Sequence, residues 1–338
     1  MNSRPFATAL LHWYHDNKRD LPWRHTSDPY AVWLSEVILQ QTRVEQGTAY
    51  WQRFLQRWPT VEALAAASED EVLREWQGLG YYSRARHLHE AARQIAAEEQ
   101  FPNTYKALRG LSGVGEYTAA AIASIAFGED VATIDGNAYR VLARHFGIET
   151  PIDTTEGRKL FASLAQSQLP HGAAGTYNQA MMDFGATLCT PRTPQCASCP
   201  LMETCTAFRS GTALELPVKS KKTAKQERRF TYVFIQSNGL TALRKRPAGD
   251  IWQGLWEPPT ADVAAVALHS TVSELKNLPQ MRTICSGLRH ILTHRIITAE
   301  FLLYTPETPP LLPSDYVWTD DIERHALPRL MLRALEMI

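Results

Sequence analysis

Four cysteines and two carboxylates are the residues whose type and spacing could do chemistry. The cysteines read Cys189-x6-Cys196-x2-Cys199-x5-Cys205, in a loop that also holds Pro191, Pro194 and Pro200. Four thiolates so close together call for a soft metal centre. A structural zinc ion and a 4Fe–4S cluster both take four cysteines. Zinc ribbons more often pair two C-x2-C knuckles and this loop has one, so spacing alone leaves both metals open. A fifth cysteine, Cys285, reads as a small buried apolar residue. The odd count disfavours a disulfide framework.

Glu36 lies in Trp33-Leu34-Ser35-Glu36-Val37-Ile38-Leu39-Gln40-Gln41-Thr42. An acid among so many apolar neighbours either faces solvent on an amphipathic helix or is buried for a reason. Asp135 lies in Ala132-Thr133-Ile134-Asp135-Gly136-Asn137-Ala138, where a helix N-cap is the ordinary role. Splitting an N-glycosidic bond needs a protonated leaving base and stabilised positive charge on the sugar. Two carboxylates in unlike environments can supply both, one kept protonated by burial and one ionised at a helix N-terminus.

Between the carboxylates runs Leu111-Ser112-Gly113-Val114-Gly115-Glu116-Tyr117-Thr118-Ala119. It fits a helix-hairpin-helix: Gly113 and Gly115 can take positive φ and let backbone approach a phosphate, and the next helix offers first-turn N–H groups. Such a contact is independent of base sequence. A plain packing corner would use the same residues.

These residues need elements to position them. From Pro5 to about Phe208 the apolar spacing is helical, with helices expected at Val32–Val44, Val61–Arg74, Ser83–Glu98, Tyr105–Leu111, Tyr117–Phe127, Ala138–Phe146, Glu156–Ala165 and Asn178–Leu188. Pro217–Glu227 is Lys-rich and reads as a linker. Beyond it Phe230–Gln236 and Ile296–Tyr304 read as strands, with turns at Ser237-Asn238-Gly239 and Pro247-Ala248-Gly249-Asp250. Helices are expected at Asp262–Leu268 and Ile322–Met337. The expected organisation is a helical domain over 1–216, a linker over 217–227 and an α+β domain over 228–338. A length of 338 residues suits two domains.

Composition narrows the function class. Net charge is zero, but residues 1–216 hold 19 Lys and Arg against 23 Asp and Glu, so the halves carry −4 and +4. Any nucleic-acid contact must therefore use local patches: Lys18, Arg19 and Arg24; Arg84 and Arg86; and Lys219, Lys221, Lys222, Lys225, Arg228 and Arg229. No apolar run approaches a membrane span. The first residues lack the apolar centre of a signal peptide, so the expected compartment is the cytoplasm.

Seven motifs together carry a resemblance. Leu21-Pro22-Trp23-Arg24, Val32–Val44, Gly78-Leu79-Gly80-Tyr81-Tyr82-Ser83-Arg84-Ala85-Arg86, the hairpin, Ile134-Asp135-Gly136-Asn137, Asn178-Gln179-Ala180-Met181-Met182-Asp183 and the cysteine loop resemble, in order, the MutY family of adenine DNA glycosylases. That family lies within the endonuclease III-like helix-hairpin-helix superfamily. The likeness covers about residues 20–205. It implies a mainly α glycosylase domain with a 4Fe–4S cluster held by Cys189, Cys196, Cys199 and Cys205, structural or DNA-sensing and outside the bond cleavage.

The resemblance also implies roles. Glu36 would protonate adenine at N7, and Asp135 would stabilise the oxocarbenium ion. Tyr117 and Asn137 would hydrogen-bond within the catalytic site. Trp23, Arg24, Leu39 and Gln179 would line the pocket for a flipped adenine. Gln41 and Tyr81 would probe the orphan base, with Gln40, Thr42, Gly113 and Gly115 as further DNA contacts. Bifunctional relatives carry Lys where Tyr117 stands, so a monofunctional hydrolase is expected. The C-terminal segment resembles, more weakly, a NUDIX-like domain through Lys245-Arg246-Pro247, Ile251-Trp252-Gln253-Gly254-Leu255-Trp256-Glu257-Pro258 and Leu292-Thr293-His294-Arg295. It has no box of clustered glutamates, which argues against pyrophosphatase activity. Thr293 and His294 stand where a Ser-His pair contacts 8-oxoguanine in the family; the two residues could equally just finish a strand. The expected substrate is duplex DNA with adenine opposite 8-oxoguanine or guanine, bound by a monomer with no membrane partner. The rivals are a pyrimidine glycosylase/lyase, disfavoured by Tyr117, a non-catalytic DNA-binding redox sensor, and a NUDIX hydrolase.

Overall fold

A computed structural model describes residues 5–98, 100–220, 225–292 and 294–338. Thr293, Lys221 and Lys222 lie outside the described residues. The chain forms two compact units, Met1–Ala66 with Glu90–Lys222, and Ala67–His89 with Thr223–Ile338.

The first unit is helical. It contains α1 (Pro5–Asn17), α2 (Pro29–Ile38), α3 (Val44–Arg57) and α4 (Val61–Ala66). The short α5 (Glu69–Glu75) falls in the second unit, and α6 (Ser83–Glu98) begins there and ends in the first. Then follow α7 (Tyr105–Leu108), α8 (Glu116–Ala126), α9 (Gly136–Phe146), α10 (Thr155–Gln168), α11 (Ala174–Asp183) and α12 (Thr206–Ser210). Local signals start several of them. Asp28 accepts from the backbone N–H groups of Tyr30 and Ala31, with Pro29 at the first position of α2. Thr154 caps α10, and Gly147 closes α9 at φ +68.

Helix α2 is the centre of this unit. Every residue from Tyr30 to Ile38 is buried, as suits a helix apolar all round. It packs on α8, which also packs on α11. Expected and observed helices differ here. The expected Val32–Val44 helix ends at Ile38, and Gln41 stands at φ +57 before α3 begins. No Gly or Pro marks the break. Tertiary contacts impose it: Leu39 packs on Gly47, where an added Cβ would lie 2.6 Å from Leu39 Cδ2, and Gln40 Nε2 donates to Thr118 Oγ1 of α8 at 3.2 Å. The expected Asn178–Leu188 helix likewise ends at Asp183 and continues as a wider π turn over Phe184–Leu188.

The second unit carries a sheet. Its strands are β1 (Gln226–Ser237), β2 (Leu240–Lys245), β3 (Trp256–Glu257), β4 (Met281–Ile291), β5 (Arg295–Tyr304) and β6 (Tyr316–Thr319), with helices α13 (Ala261–Ala267) and α14 (Arg329–Leu335). The strand order is β3-β2-β1-β5-β4, and β6 pairs with β2. The β1–β2 hairpin turns at Asn238 (φ +52) and Gly239 (φ +77), as its Asn-Gly predicts. β1 and β5 run parallel from Gln226↔Arg295 to Ile235↔Tyr304. Alternation sorts the sheet's two faces. Tyr232 and Phe234 meet Leu327, Leu330 and Met331 on one side; Val233 and Ile235 meet Ala261, Ala264 and Leu275 on the other. The expected Ile322–Met337 helix is shorter. Pro328 lacks an N–H and disfavours helix at Leu327, so only Arg329–Leu335 is α-helical.

Segment 67–89 is tied to this sheet. Lys245 Nζ lies 2.6 Å from Asp70, Arg86 donates to the Gln253 carbonyl at 2.5 Å, and Leu327 N–H donates to Gln77 at 3.1 Å. Inside, Glu257 is fully buried and binds two guanidiniums, Arg246 and, at 3.0 Å, Arg244. Removing that acid leaves Arg246, 7% exposed, without its main counter-charge. Glu257→Ala is expected to cost about 3–5 kcal/mol. Denaturant unfolding of the full chain checks this, and a loss below ~1 kcal/mol would contradict the buried pair.

Candidate active site

The site is a cavity of about 740 Å³ in the first unit. Thirteen residues singled out from sequence line it: Trp23, Arg24, Glu36, Leu39, Gln40, Gln41, Thr42, Gly113, Gly115, Tyr117, Asp135, Asn137 and Gln179. They come from five stretches of chain. Tyr81 and His294 belong to the second unit, and both are exposed. Tyr81 takes φ +47, unusual for a side chain of its size. The Thr293 expectation falls outside the described residues.

Glu36 enters from α2 and is 8% exposed. Burial pushes its carboxyl up to about 7; the neighbouring Asp135 raises it too, while the Tyr117 hydrogen bond and the Arg24 charge pull it down. The solvated reading of Glu36 therefore gives way to the buried one. Tyr117 comes from the first turn of α8. Its hydroxyl is hydrogen-bonded to the Glu36 carboxyl and lies 3.1 Å from Met182 Sδ. Burial and the two acids hold that phenol well above its usual range.

Asp135 caps α9 and still faces the cavity, so its two candidate roles coexist. Oδ1 accepts from the Ala138 N–H at 2.8 Å, and Oδ2 accepts from Asn137 Nδ2 at 2.6 Å. Asn137 is fixed in turn: its Oδ1 accepts from Arg140 Nη2 at 2.8 Å. The π turn presses Gly185 against it, where an added Cβ would lie 2.5 Å from Asn137 Cβ. Asn178 holds the strand-like lead-in to Asp135 by accepting from Thr133 N–H and donating to the Val131 carbonyl.

Sequence reasoning missed one anchor. Asp183 has no exposed side-chain surface. It receives Arg24 through both guanidinium nitrogens at 2.6 and 2.7 Å and Arg19 Nε at 2.7 Å. Those donors hold its carboxyl below the usual range against the opposing effect of burial. Arg19 and Arg24 were expected to be a basic patch; they are counter-ions of a buried acid instead. Arg228 is likewise bound to Asp250, at 2.5 and 3.0 Å. The Asp183 signal lay in the Asn178–Asp183 motif, but its partners are about 160 residues away.

The hairpin forms the rim. Gly113 takes φ +71, while Gly115 is extended at φ −80 and caps α8. The expected positive φ therefore holds at one glycine, not two. A Cβ on Gly115 would meet nothing within 4 Å, so its backbone is open to a close approach. Glu90 and Gln94 of α6 brace the loop by accepting from Ser112 Oγ and N–H at 2.6 and 2.8 Å.

Cys189, Cys196, Cys199 and Cys205 line one small cavity of about 30 Å³, apolar apart from Arg144 and Gln195. All four are free thiols. Burial and the three other sulfurs push Cys199 up to about 11, a repulsion that bound cations would relieve. Arg144 Nη1 lies 3.3 Å from Cys189 Sγ and donates to the Thr190 carbonyl. The donor set thus fits a thiolate-bound metal centre. Among the described residues, no three Cys, His, Asp or Glu converge as ligands of a single ion.

Glu36 sets a pH signature. Its folded value of about 7 lies above the unfolded 4.5, so wild-type stability falls between those values and levels off above 7. Glu36→Gln removes the ionisation. The variant is expected to gain on the wild type across that window, reaching roughly 3 kcal/mol above pH 7. Unfolding curves at pH 5 and pH 8 measure this; equal differences at both pH values would refute the burial.

A family model described as HhH-GPD superfamily base excision DNA repair protein matches residues 34–166, and a NUDIX domain model matches 231–337. An adenine DNA glycosylase of Arabidopsis thaliana is 40% identical over 295 residues, covering 75% of this chain and 46% of the relative. The Homo sapiens adenine DNA glycosylase is 45% identical over 213 residues, covering 60% and 39%. That of Buchnera aphidicola from Schizaphis graminum is 31% identical over 292 residues, covering 86% and 84%. The matched region is thus less than half the length of the plant and human relatives. A solved thermostable thymine-DNA glycosylase superposes with TM-score 0.57 at 31% identity, covering 61% of this chain and 97% of that one. An endonuclease III–DNA complex superposes with TM-score 0.53 at 21% identity, covering 62% and 99%, and shares the fold.

Proposed function

The chain belongs to the adenine DNA glycosylases, and from that premise we propose that it hydrolyses the N-glycosidic bond of adenine flipped from a duplex opposite 8-oxoguanine or guanine. The observation that carries the reading is Glu36: a buried carboxyl raised to about 7, facing one cavity with Tyr117 and Asp135. An acid of that strength is half protonated near neutral pH and can hand its proton to a leaving base. Glu36 gives its proton to adenine N7 while the C1′–N9 bond breaks, and the bonding pair leaves with the base. Asp135, held by Asn137 and the start of α9, faces the positive sugar carbon. Water then adds at C1′ and gives a proton to the Glu36 carboxylate, which restores the acid and leaves an abasic site.

Tyr117 cannot form a Schiff base, so the enzyme is monofunctional. The Gly113–Gly115 hairpin holds a phosphate at the cavity's rim, Gln40, Gln41 and Thr42 meet the DNA around the gap, and Tyr81 of the second unit is a further DNA contact. The glycosylase domain is 1–216, and 228–338 recognises 8-oxoguanine through Thr293 and His294. The protein works as a monomer in the cytoplasm; among the described residues no helix is long and apolar enough to cross a membrane. Cys189, Cys196, Cys199 and Cys205 hold a 4Fe–4S cluster, as is usual in the endonuclease III-like group. When bound it crosslinks their loop and takes no part in the bond cleavage. The four cysteines line one small cavity, and the likeness to the endonuclease III-like group favours a cluster over one zinc ion.

Adenine release from 8-oxoguanine:A, G:A and T:A duplexes tests the function. The first two are expected to react, with a single-turnover rate that declines as pH rises past about 7. Glu36→Gln is expected to bind the mismatch and lose nearly all turnover. Retained excision by that variant, or a borohydride-trapped protein–DNA adduct in good yield, would sink the mechanism. Metal analysis tests the loop: about four irons and four sulfides per chain are expected, lost in Cys196→Ser. Stoichiometric zinc without iron would overturn the cluster.

A further inference from the structure

Strand β4 and helix α14 of the second unit pack together and carry an unbalanced charge. From Met281 to Ala299 the chain has three arginines and no acid; from Arg324 to Leu335 it has three more and again no acid. Two of the six are neutralised, Arg295 by Asp250 at 3.2 Å and Arg324 by Asp321 at 3.0 Å. Arg282 donates to the Ile338 carbonyl at 3.4 Å. Among the described residues no carboxylate pairs with the other three, Arg289, Arg329 and Arg333. The next acid along α14, Glu336, stands at its far end and is exposed. Arg333 Nη1 donates to the Arg289 carbonyl at 3.1 Å, so the guanidinium from α14 sits on the β4 backbone. Arg289 and Arg329 are exposed. Half-buried His290 reports the field between them: burial lowers its imidazole first, and the Arg333 and Arg329 charges lower it further. The helical domain offers no comparable field. Residues 1–216 carry −4, and Asp183 holds Arg19 and Arg24.

We infer that Arg289, Arg329 and Arg333 form a phosphate-binding face that holds the second unit on the DNA backbone, whatever base stands opposite the adenine. The inference rests on the reading that the chain acts on duplex DNA. An extended polyanion can meet three guanidiniums at once, whereas a single acidic side chain would occupy one. The face also stands beside the turn proposed to read the orphan base. β4 ends at Ile291, the Leu292 N–H donates to the Arg295 carbonyl to close the turn into β5, and exposed His294 lies in that turn. Arg289 stands two residues before the strand's end, on the order of 7 Å along it. The second unit thus has two tasks. The turn reads a base; the arginines grip phosphate, which positions the unit and carries no base information.

The test is binding of the full chain to 8-oxoguanine:A, G:A and matched T:A duplexes over a range of salt concentrations, in a Glu36→Gln background so that no base is released. Arg289→Gln and Arg329→Gln each remove a charge from an exposed side chain, so the melting midpoint should barely move. Each is expected to flatten the slope of log Kd against log salt by about one and to weaken binding about five- to tenfold at ~0.1 M salt. The loss should be equal on all three duplexes, leaving the preference for 8-oxoguanine unchanged. Arg329→Lys keeps the charge and is expected to keep the slope. Wild-type slopes in both Gln variants overturn the inference. So does a loss confined to the 8-oxoguanine duplex, which would make the face a reader of the lesion, or a loss that Arg329→Lys fails to rescue. Adenine release with Glu36 restored separates the two readings. An arginine-dependent slope without release sinks the excision reading and leaves this face standing; release with slopes untouched by the variants sinks this face alone.

Discussion

The withdrawal of one carboxyl from water organises the helical unit. Glu36 sits on a helix buried on every side, and an ionised carboxylate there would go largely unsolvated. A raised proton affinity follows, and it is useful only if nearby cations do not cancel it. Arg24 is the cation near Glu36, and Asp183 takes both of its terminal guanidinium nitrogens. The pull of Arg24 on Glu36 is thereby shared with a closer partner. Tyr117 adds a neutral hydrogen bond in the position where a lysine would have added another charge.

A single helix, α9, carries the second carboxylate that faces the cavity and its support. Its N-terminus holds Asp135, its first turns hold Asn137 and Arg140, and its last turn holds Arg144. Arg140 donates to Asn137, to the Gly185 carbonyl and to the Cys189 carbonyl. Arg144 donates to the Thr190 and Pro191 carbonyls of the cysteine loop. The π turn that makes room for Gly185 against Asn137 also ends at Cys189. Asp135 and the cysteine loop thus share one set of backbone anchors.

The second unit follows different rules. Its core is read by alternation along β1, and acids and guanidiniums pair around the buried Glu257 and the half-buried Asp250. Such a set rigidifies a sheet edge but leaves these acids tied to arginines. A NUDIX domain model matches this unit over residues 231–337. Arg246 lies over the Phe230 and Trp252 rings, so apolar packing and charge pairing meet at the same guanidinium.

The sequence by itself determined the helical and mixed halves, the cysteine loop, the hairpin and the two acids. Those signals are local: a thiol spacing, a Gly-x-Gly, a helix period, a cap. It could not say whether Glu36 was solvated, because burial depends on what packs around α2. It placed Gln41 inside a helix, because nothing within that stretch marks a break imposed by Gly47 and Thr118. It read Arg19 and Arg24 as a free basic patch, because their acid lies at the far end of α11. The positions of Asp183 and Gly185 at the site were decided by tertiary structure alone. Hydrogen bonds and close contacts between residues far apart in the chain leave no periodicity in it, and only folding brings those partners within reach.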